Sequence, residues 1–206
     1  MKVLLINGSP KVHSNTAFAL SQMAEVFQAA GVETETIQVG SQVIPGCKGC
    51  AACYKTGKCV IDDLVNETAA KLPAYDGIVV GSPVYYASPN GTLLSFLDRL
   101  FYSTGSVDKR MKVGASVVVA RRGGCTASMD VLNKYFTISS MPVASSTYWN
   151  QIHGAKPGEA SMDAEGIRTM RNLAKNMVFM MKAIAAEKEA NGLPEPEPKA
   201  FTNFIR

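Results

Sequence analysis

The sequence opens on an unbroken apolar run, Val3 to Ile6, followed at once by Asn7-Gly8-Ser9-Pro10 and a helical pattern from Asn15. Such a run is too short for a buried helix and is rich in β-formers. It suits a strand covered on both faces, as in the middle of a parallel sheet. That start constrains the rest of the chain, because parallel strands are joined by crossovers that are usually helical. The chain supplies them. From Asn15 to Ala30 the residues Phe18, Leu20, Met23, Val26 and Phe27 fall mostly on one helical face, and Gly31 stops the helix. Val32 to Val39 alternates and reads as a less buried strand. Asp62 or Asp63 caps a short helix through Lys71, and Gly77 to Gly81 is another buried strand. A helix from Gly91 to Tyr102, a strand from Val113 to Ala120 and a helix from Cys125 to Ile138 come next. A last strand over Pro142 to Tyr148 and a long helix from Asp163 to Ala190 complete the series. The methionines of that helix, Met170, Met177 and Met181, read as core packing.

This regular β-α alternation predicts an α/β fold with an open parallel sheet and helices on both faces. With 206 residues the chain suits one domain, spanning residues 1–190, with a cysteine-rich loop inserted at 41–60 and an extended tail over 191–206. In such sheets ligands sit beyond the C-terminal ends of the strands, where the strand order reverses. Three loops meet those ends: Asn7 to Thr16, Ser82 to Asn90, and Arg121 to Gly124.

The first loop is the most informative. A tight polar turn between a buried strand and a helix start presents backbone N–H groups and the positive end of the helix dipole to an anion. Ser9, Ser14, Asn15 and Thr16 add side-chain donors, and Lys11 adds positive charge. A phosphate is the expected ligand. The loop lacks the spaced glycines of the dinucleotide fingerprint and the Gly-Lys-Ser/Thr of ATP-type loops. The same residues also satisfy an ordinary βα turn whose Ser and Asn only cap the helix.

Charge narrows the partners. The 21 basic and 17 acidic residues leave a net charge of +4, and the basic clusters are confined to Lys109-Arg110-Met111-Lys112 and Arg121-Arg122. That dispersal speaks against nucleic-acid binding. No signal-peptide core and no membrane-length apolar segment is visible, so a cytoplasmic location is expected. Five cysteines in a reducing compartment then point to metal or redox chemistry rather than to disulfides.

Three pieces in order, GSPKVHSNT, GSPVYYASPNGTLLSFLDR and RRGG, resemble the NADPH-dependent FMN reductase branch of the flavodoxin-like superfamily. They span residues 1 to about 125, and Met141 to Lys182 is also similar to flavodoxin-family oxidoreductases. The Thr/Gly-rich first loop of true flavodoxins is missing. The resemblance implies a flavodoxin-like three-layer sandwich with a five-stranded parallel sheet in the order 2-1-3-4-5. It also implies bound FMN. The phosphate would sit against Ser9, Lys11, Ser14, Asn15 and Thr16. Pro83, Val84, Tyr85 and Tyr86 would flank the ring, with Arg121, Arg122, Gly123 and Gly124 along its other edge. A donor-rich helix start suits a phosphomonoester, and aromatic side chains suit a flat ring.

Cys47, Cys50, Cys53 and Cys59 stand at C-x2-C-x2-C-x5-C on a Gly- and Lys-rich loop. Close thiols at such spacing can converge on one centre. The pattern resembles the compact motif of iron–sulfur flavoproteins, which hold a [4Fe–4S] cluster near FMN. Reduced thiols in a loop that never loads a cluster would show the same sequence. Zinc sites made of four cysteines usually come as two separated C-x2-C pairs. Cys125, outside the run, reads as a small buried hydrophobe. Trp149 reads equally as a flavin cover or as core, and His153 as structural.

The expected function is an FMN-dependent NAD(P)H oxidoreductase, in which a nicotinamide nucleotide gives hydride to the flavin and electrons leave to an acceptor. Because the flavin carries the hard chemistry, no side chain is singled out as catalytic. Two rivals stand beside it: a non-catalytic electron carrier reduced by a protein such as ferredoxin, and a zinc-stabilised binding module without flavin. The resemblance further implies a homodimer or homotetramer, and the apolar tail residues Phe201, Phe204 and Ile205 suit an embrace of a neighbour.

Overall fold

The computed structural model describes residues 1–198 together with Ala200 and Thr202. The tail residues Phe201, Phe204 and Ile205 lie outside the described set. The chain runs β1 (Lys2–Asn7), α1 (Asn15–Ala29), β2 (Glu33–Gln38), α2 (Cys53–Thr56), α3 (Leu64–Lys71), β3 (Gly77–Tyr85), β4 (Ser88–Pro89) and α4 (Gly91–Ser103). It continues through β5 (Val113–Ala120), α5 (Cys125–Thr137), β6 (Gln151–His153) and α6 (Ala164–Asn191).

Five parallel strands lie in the order β2-β1-β3-β5-β6, which is the expected 2-1-3-4-5 arrangement once the two-residue β4 is set aside. Helices cover both faces, and the period-2 geometry of the strands divides the core between them. In β1, Val3 and Leu5 join α1 and α6 in one apolar layer, whereas Leu4 and Ile6 join α3, α4 and α5 in the other. The edge strand β2 is partly exposed along its length, as its alternating sequence suggests. Met170, Met177 and Met181 are buried in the α1–α6 layer, so the methionine stripe is core.

The expected helix starts and stops appear with local causes. Ser14 caps α1 through a hydrogen bond from Ala17 N to its Oγ (3.1 Å), and Gly31 ends it at φ 73°. Asp63, rather than Asp62, caps α3, accepting from Val65 N at 3.0 Å.

Two expectations are corrected. The stretch 82–90 is not all loop: β3 runs on to Tyr85 and folds back on Ser88–Pro89, pairing Val84 with Pro89 and Tyr85 with Ser88. The last strand is not Pro142 to Tyr148. Val143 makes one isolated bridge to Gly114, and regular pairing resumes only when Gln151 meets Val118. Eight residues thus span what four cover on β5, so 145–149 must leave the sheet. The polar run Ser145-Ser146-Thr147 has no apolar face to bury, and Tyr148 and Trp149 end half exposed, their ring centroids 5.0 Å apart and their planes tilted by 54°.

Candidate functional site

The three strand-end loops converge. A cleft of about 330 Å3 opens beyond β1, β3, β5 and β6, lined by Ser9, Lys11, Ser14, Asn15 and Thr16 on one side. Pro83, Val84, Tyr85, Val119, Ala120 and Arg121 line it as well, and Gly154, Ala155 and Pro157 close it. The site therefore sits at the switch point between β1 and β3, where ligands enter open α/β sheets. A larger hollow of about 640 Å3 lies at the opposite edge, where Asp76 and Lys112 precede β3 and β5. It faces the wrong ends of the strands, and its Arg110 is already paired with Asp108 at 2.8 Å.

The first loop is built from its own backbone bonds. Ser9 is buried; its N–H donates to Asn7 Oδ1 (3.0 Å), and its Oγ accepts from Lys11 N (3.2 Å). Ser14 Oγ is engaged in capping α1. Asn15 is tied elsewhere too. Its Nδ2 donates to the carbonyl oxygen of Lys156 (2.9 Å), and its Oδ1 accepts from Ala160 N (3.2 Å). One side chain thus joins the start of α1 to the loop beyond β6, and one of its two amide hydrogens is left over from that join. The join demands close approach: a Cβ at Gly154 would stand 2.7 Å from Asn15 Nδ2. Among the described residues, Lys11, Arg121 and Arg122 have no acidic partner within ion-pair distance.

The aromatic loop is a strained hairpin. Tyr86 and Ala87 take φ values of 50° and 57°, the two-residue turn that matches strand twist but suits Asn and Gly best. Tyr86 is fully exposed at its tip and does not line the cleft, whereas Pro83, Val84 and Tyr85 do. Arg122, Gly123 and Gly124 also stand back from the lining. Gly124 acts from beneath, in the left-handed region at φ 94°, where a Cβ would come 2.9 Å from both Ala87 Cα and Val84 Cγ1. It lets the β5–α5 loop pack under the hairpin.

Gly154, Ala155 and Pro157 escape a reading of the sequence that ends the sheet at Tyr148. A signal for them exists: a Gly-Ala-Lys-Pro-Gly turn directly follows a strand and so belongs to the same sheet edge. Glu159 shapes that turn. Its Oε2 accepts from Ala155 N and Lys156 N, both at 2.8 Å, and these bonds hold its carboxyl below the usual range. His153 points to Asp163, with Nδ1 to Oδ2 at 3.5 Å, while Asp163 also caps α6.

Cys47, Cys50, Cys53 and Cys59 line one small recess of about 20 Å3 with Ile61, Arg99 and Tyr102. Cys47 and Cys50 are exposed; Cys53, which opens α2, and Cys59 are half-buried. Among the described residues, no three His, Cys, Asp or Glu side chains are gathered closely enough to hold a single metal ion. The thiols share a recess without converging on a point. Arg99 and Asn66, neither singled out from the sequence, hold this loop. Cys125 is buried at the start of α5, and burial pushes its thiol up to about 11, which suits an inert core residue. No helix among the described residues is long and apolar enough to cross a membrane.

The model of the NADPH-dependent FMN reductase family matches residues 1–155. An iron-sulfur flavoprotein of Methanocaldococcus jannaschii is 34% identical over 191 residues, covering 89% of this chain and 99% of that relative. An iron-sulfur flavoprotein of Methanosarcina thermophila is 29% identical over 192 residues, covering 92% and 100%. Among solved structures, an NAD(P)H:quinone oxidoreductase from Methanothermobacter marburgensis superposes with a TM-score of 0.67 at 15% identity, covering 86% of this chain and 96% of that one. The last likeness is one of fold. With its parallel sheet, its cleft at the switch point and a family match over most of its length, this chain belongs to the NADPH-dependent FMN reductase family of flavodoxin-like proteins.

Proposed function

We propose that this protein is a flavin oxidoreductase that holds FMN in the switch-point cleft and takes reducing equivalents from NADH or NADPH. The observation that carries the reading is the convergence of three strand-end loops on one cleft, with Lys11 and Arg121 in its lining and, among the described residues, no acidic side chain within ion-pair distance of either. The site fits the group chemically. Ser9, Ser14, Thr16 and Lys11 at the start of α1 would take the phosphate, with Asn15 in support. Pro83, Val84 and Tyr85 offer a flat apolar wall for the ring, and Arg121 supplies positive charge on the opposite side. Tyr86 and Gly124 act through the conformation of the hairpin and of the loop beneath it, while Arg122 and Gly123 stand back from the lining. Bound FMN supplies the two-electron acceptor; the chain supplies position, charge and exclusion of water. No side chain of the cleft is assigned a proton-transfer role.

The four-cysteine recess favours an electron-transfer extension of this reading. A [4Fe–4S] cluster takes one thiolate on each of its irons, so it asks for four thiols around a shared space rather than around a point. Cys47, Cys50, Cys53 and Cys59 line one recess, and the likeness to iron-sulfur flavoproteins supports a cluster held by them. A ferredoxin-like donor is the second route for electrons under this reading, and a homodimer or homotetramer is the proposed assembly.

The visible spectrum of anaerobically purified protein, before and after NADPH or NADH, tests the function. Flavin bands that bleach with either nucleotide are expected. Flavin that bleaches only with a reduced ferredoxin would replace the reductase by an electron carrier. Colourless protein that fails to take up FMN would overturn both.

A further inference from the structure

We propose that Arg99 is a positioning residue of the four-cysteine recess, fixing Cys59 and donating an N–H hydrogen bond to its sulfur that raises the reduction potential of the cluster. The inference rests on the cluster reading above.

Arg99 lies on α4 and is 1% exposed, among the largest fully buried side chains of the protein. Burying a guanidinium is costly unless its donors are engaged. Here all three nitrogens are. Nη1 and Nη2 fork onto Asp63 at 2.6 and 2.9 Å. Nη2 also donates to the Ile61 carbonyl (2.9 Å) and Nη1 to the Pro45 carbonyl (3.4 Å). Pro45 and Ile61 each stand two residues outside the run Cys47 to Cys59, so one side chain grips both ends of the cysteine loop. The remaining donor, Nε–H, goes to Cys59 Sγ at 3.4 Å.

A plain loop staple would be complete with the four oxygen contacts. The fifth is directed at the sulfur of Cys59, which lines one recess with Cys47, Cys50 and Cys53. Cys59 is held independently through its backbone: its N–H donates to Asn66 Oδ1 (3.0 Å), and its carbonyl accepts from Asn66 Nδ2 (2.9 Å). The two grips are separable. Asn66 sets where the Cys59 main chain lies, while Arg99 donates to the sulfur. A hydrogen bond to a ligating sulfur draws off negative charge and favours the more reduced state, one of the levers that set cluster potentials.

The test reconstitutes the full chain anaerobically with ferrous iron and sulfide, then measures iron per chain and a dithionite midpoint titration by EPR. The variants are Arg99→Lys, the neutral pair Arg99→Met with Asp63→Asn, and Asn66→Ala. Wild type is expected to load four irons, the number in a [4Fe–4S] cluster. Asn66→Ala should load less iron at an unchanged potential. Both Arg99 variants should titrate at more negative potential, because a lysine ammonium cannot fork Asp63 and reach Cys59 together. Should the neutral pair fail to fold, Arg99→Lys carries the comparison. A potential equal to wild type in the loaded Arg99 variants overturns the inference and leaves the cluster standing. Absence of iron in wild type removes the cluster reading and the inference together.

Discussion

Asn15, in the first turn of α1, donates from Nδ2 to the carbonyl oxygen of Lys156 at 2.9 Å across 141 residues of sequence. The bond ties the proposed phosphate side of the cleft to its closing loop. Asn15→Ala would leave Lys156 O and Ala160 N–H without this partner, at about 1–3 kcal/mol. FMN affinity should fall by roughly tenfold or more, each 1.4 kcal/mol being a factor of ten. Titration of apoprotein by flavin fluorescence checks this. Affinity within twofold of wild type would show that the loop holds itself.

Gly124 and Gly123 are neighbours with opposite tolerances. A Cβ on Gly124 meets Ala87 and Val84 at 2.9 Å and must adopt a φ of 94°, whereas Gly123 has nothing within 4 Å. Gly124→Ala should therefore weaken FMN binding and lower the melting temperature, at a cost of about 1–3 kcal/mol. Gly123→Ala should change neither. Equal behaviour of the two variants in thermal melts would sink the argument that the β5–α5 loop supports the hairpin by contact.

Tyr86 occupies the left-handed region at φ 50° yet is fully exposed, so it bears strain without burying surface. Asparagine tolerates this conformation better. Tyr86→Asn should stabilise the apoprotein by about 1 kcal/mol, on the scale of the left-handed penalty. Because Tyr86 does not line the cleft, the same change should leave FMN binding unaltered. Urea unfolding of apoprotein and FMN titration check the two expectations; a less stable variant would refute the strain argument.

Glu35 bridges β1 and α3, its carboxylate 2.8 Å from both Lys2 Nζ and Lys71 Nζ. The hydrogen bond from Lys2, then that from Lys71, lowers its carboxyl from 4.5 to about 2. A carboxyl depressed in the folded state contributes stability that is complete above its unfolded value and is lost as pH falls through its folded one. Glu35→Gln should therefore cost about 1 kcal/mol at pH 7, the scale of a partly exposed ion pair. That deficit should shrink between pH 4.5 and 2. A constant difference across that window, measured by denaturant melts, would argue against the bridge.

Much of this architecture is a local property of the chain. The apolar run of β1, the alternation of β2, the Ser14 and Asp63 caps and the Gly31 stop depend on residues close in sequence. So does the polar turn at the start of α1, since a strand, a loop and a capped helix place donors at the sheet edge by themselves. What only the tertiary structure decided lies in pairings between distant segments. β6 lies at Gln151–His153 because Val118 meets Gln151, and that register follows from contact with β5, not from the composition of 142–148. Asn15 reads locally as a phosphate donor, but the fold sets its amide against Lys156 and Ala160. Arg99 is one of several polar residues on α4, and only the fold brings it to Asp63 and Cys59, 36 and 40 residues away. Periodicity reports which face of an element is buried; it carries no record of which distant side chain completes a hydrogen bond there.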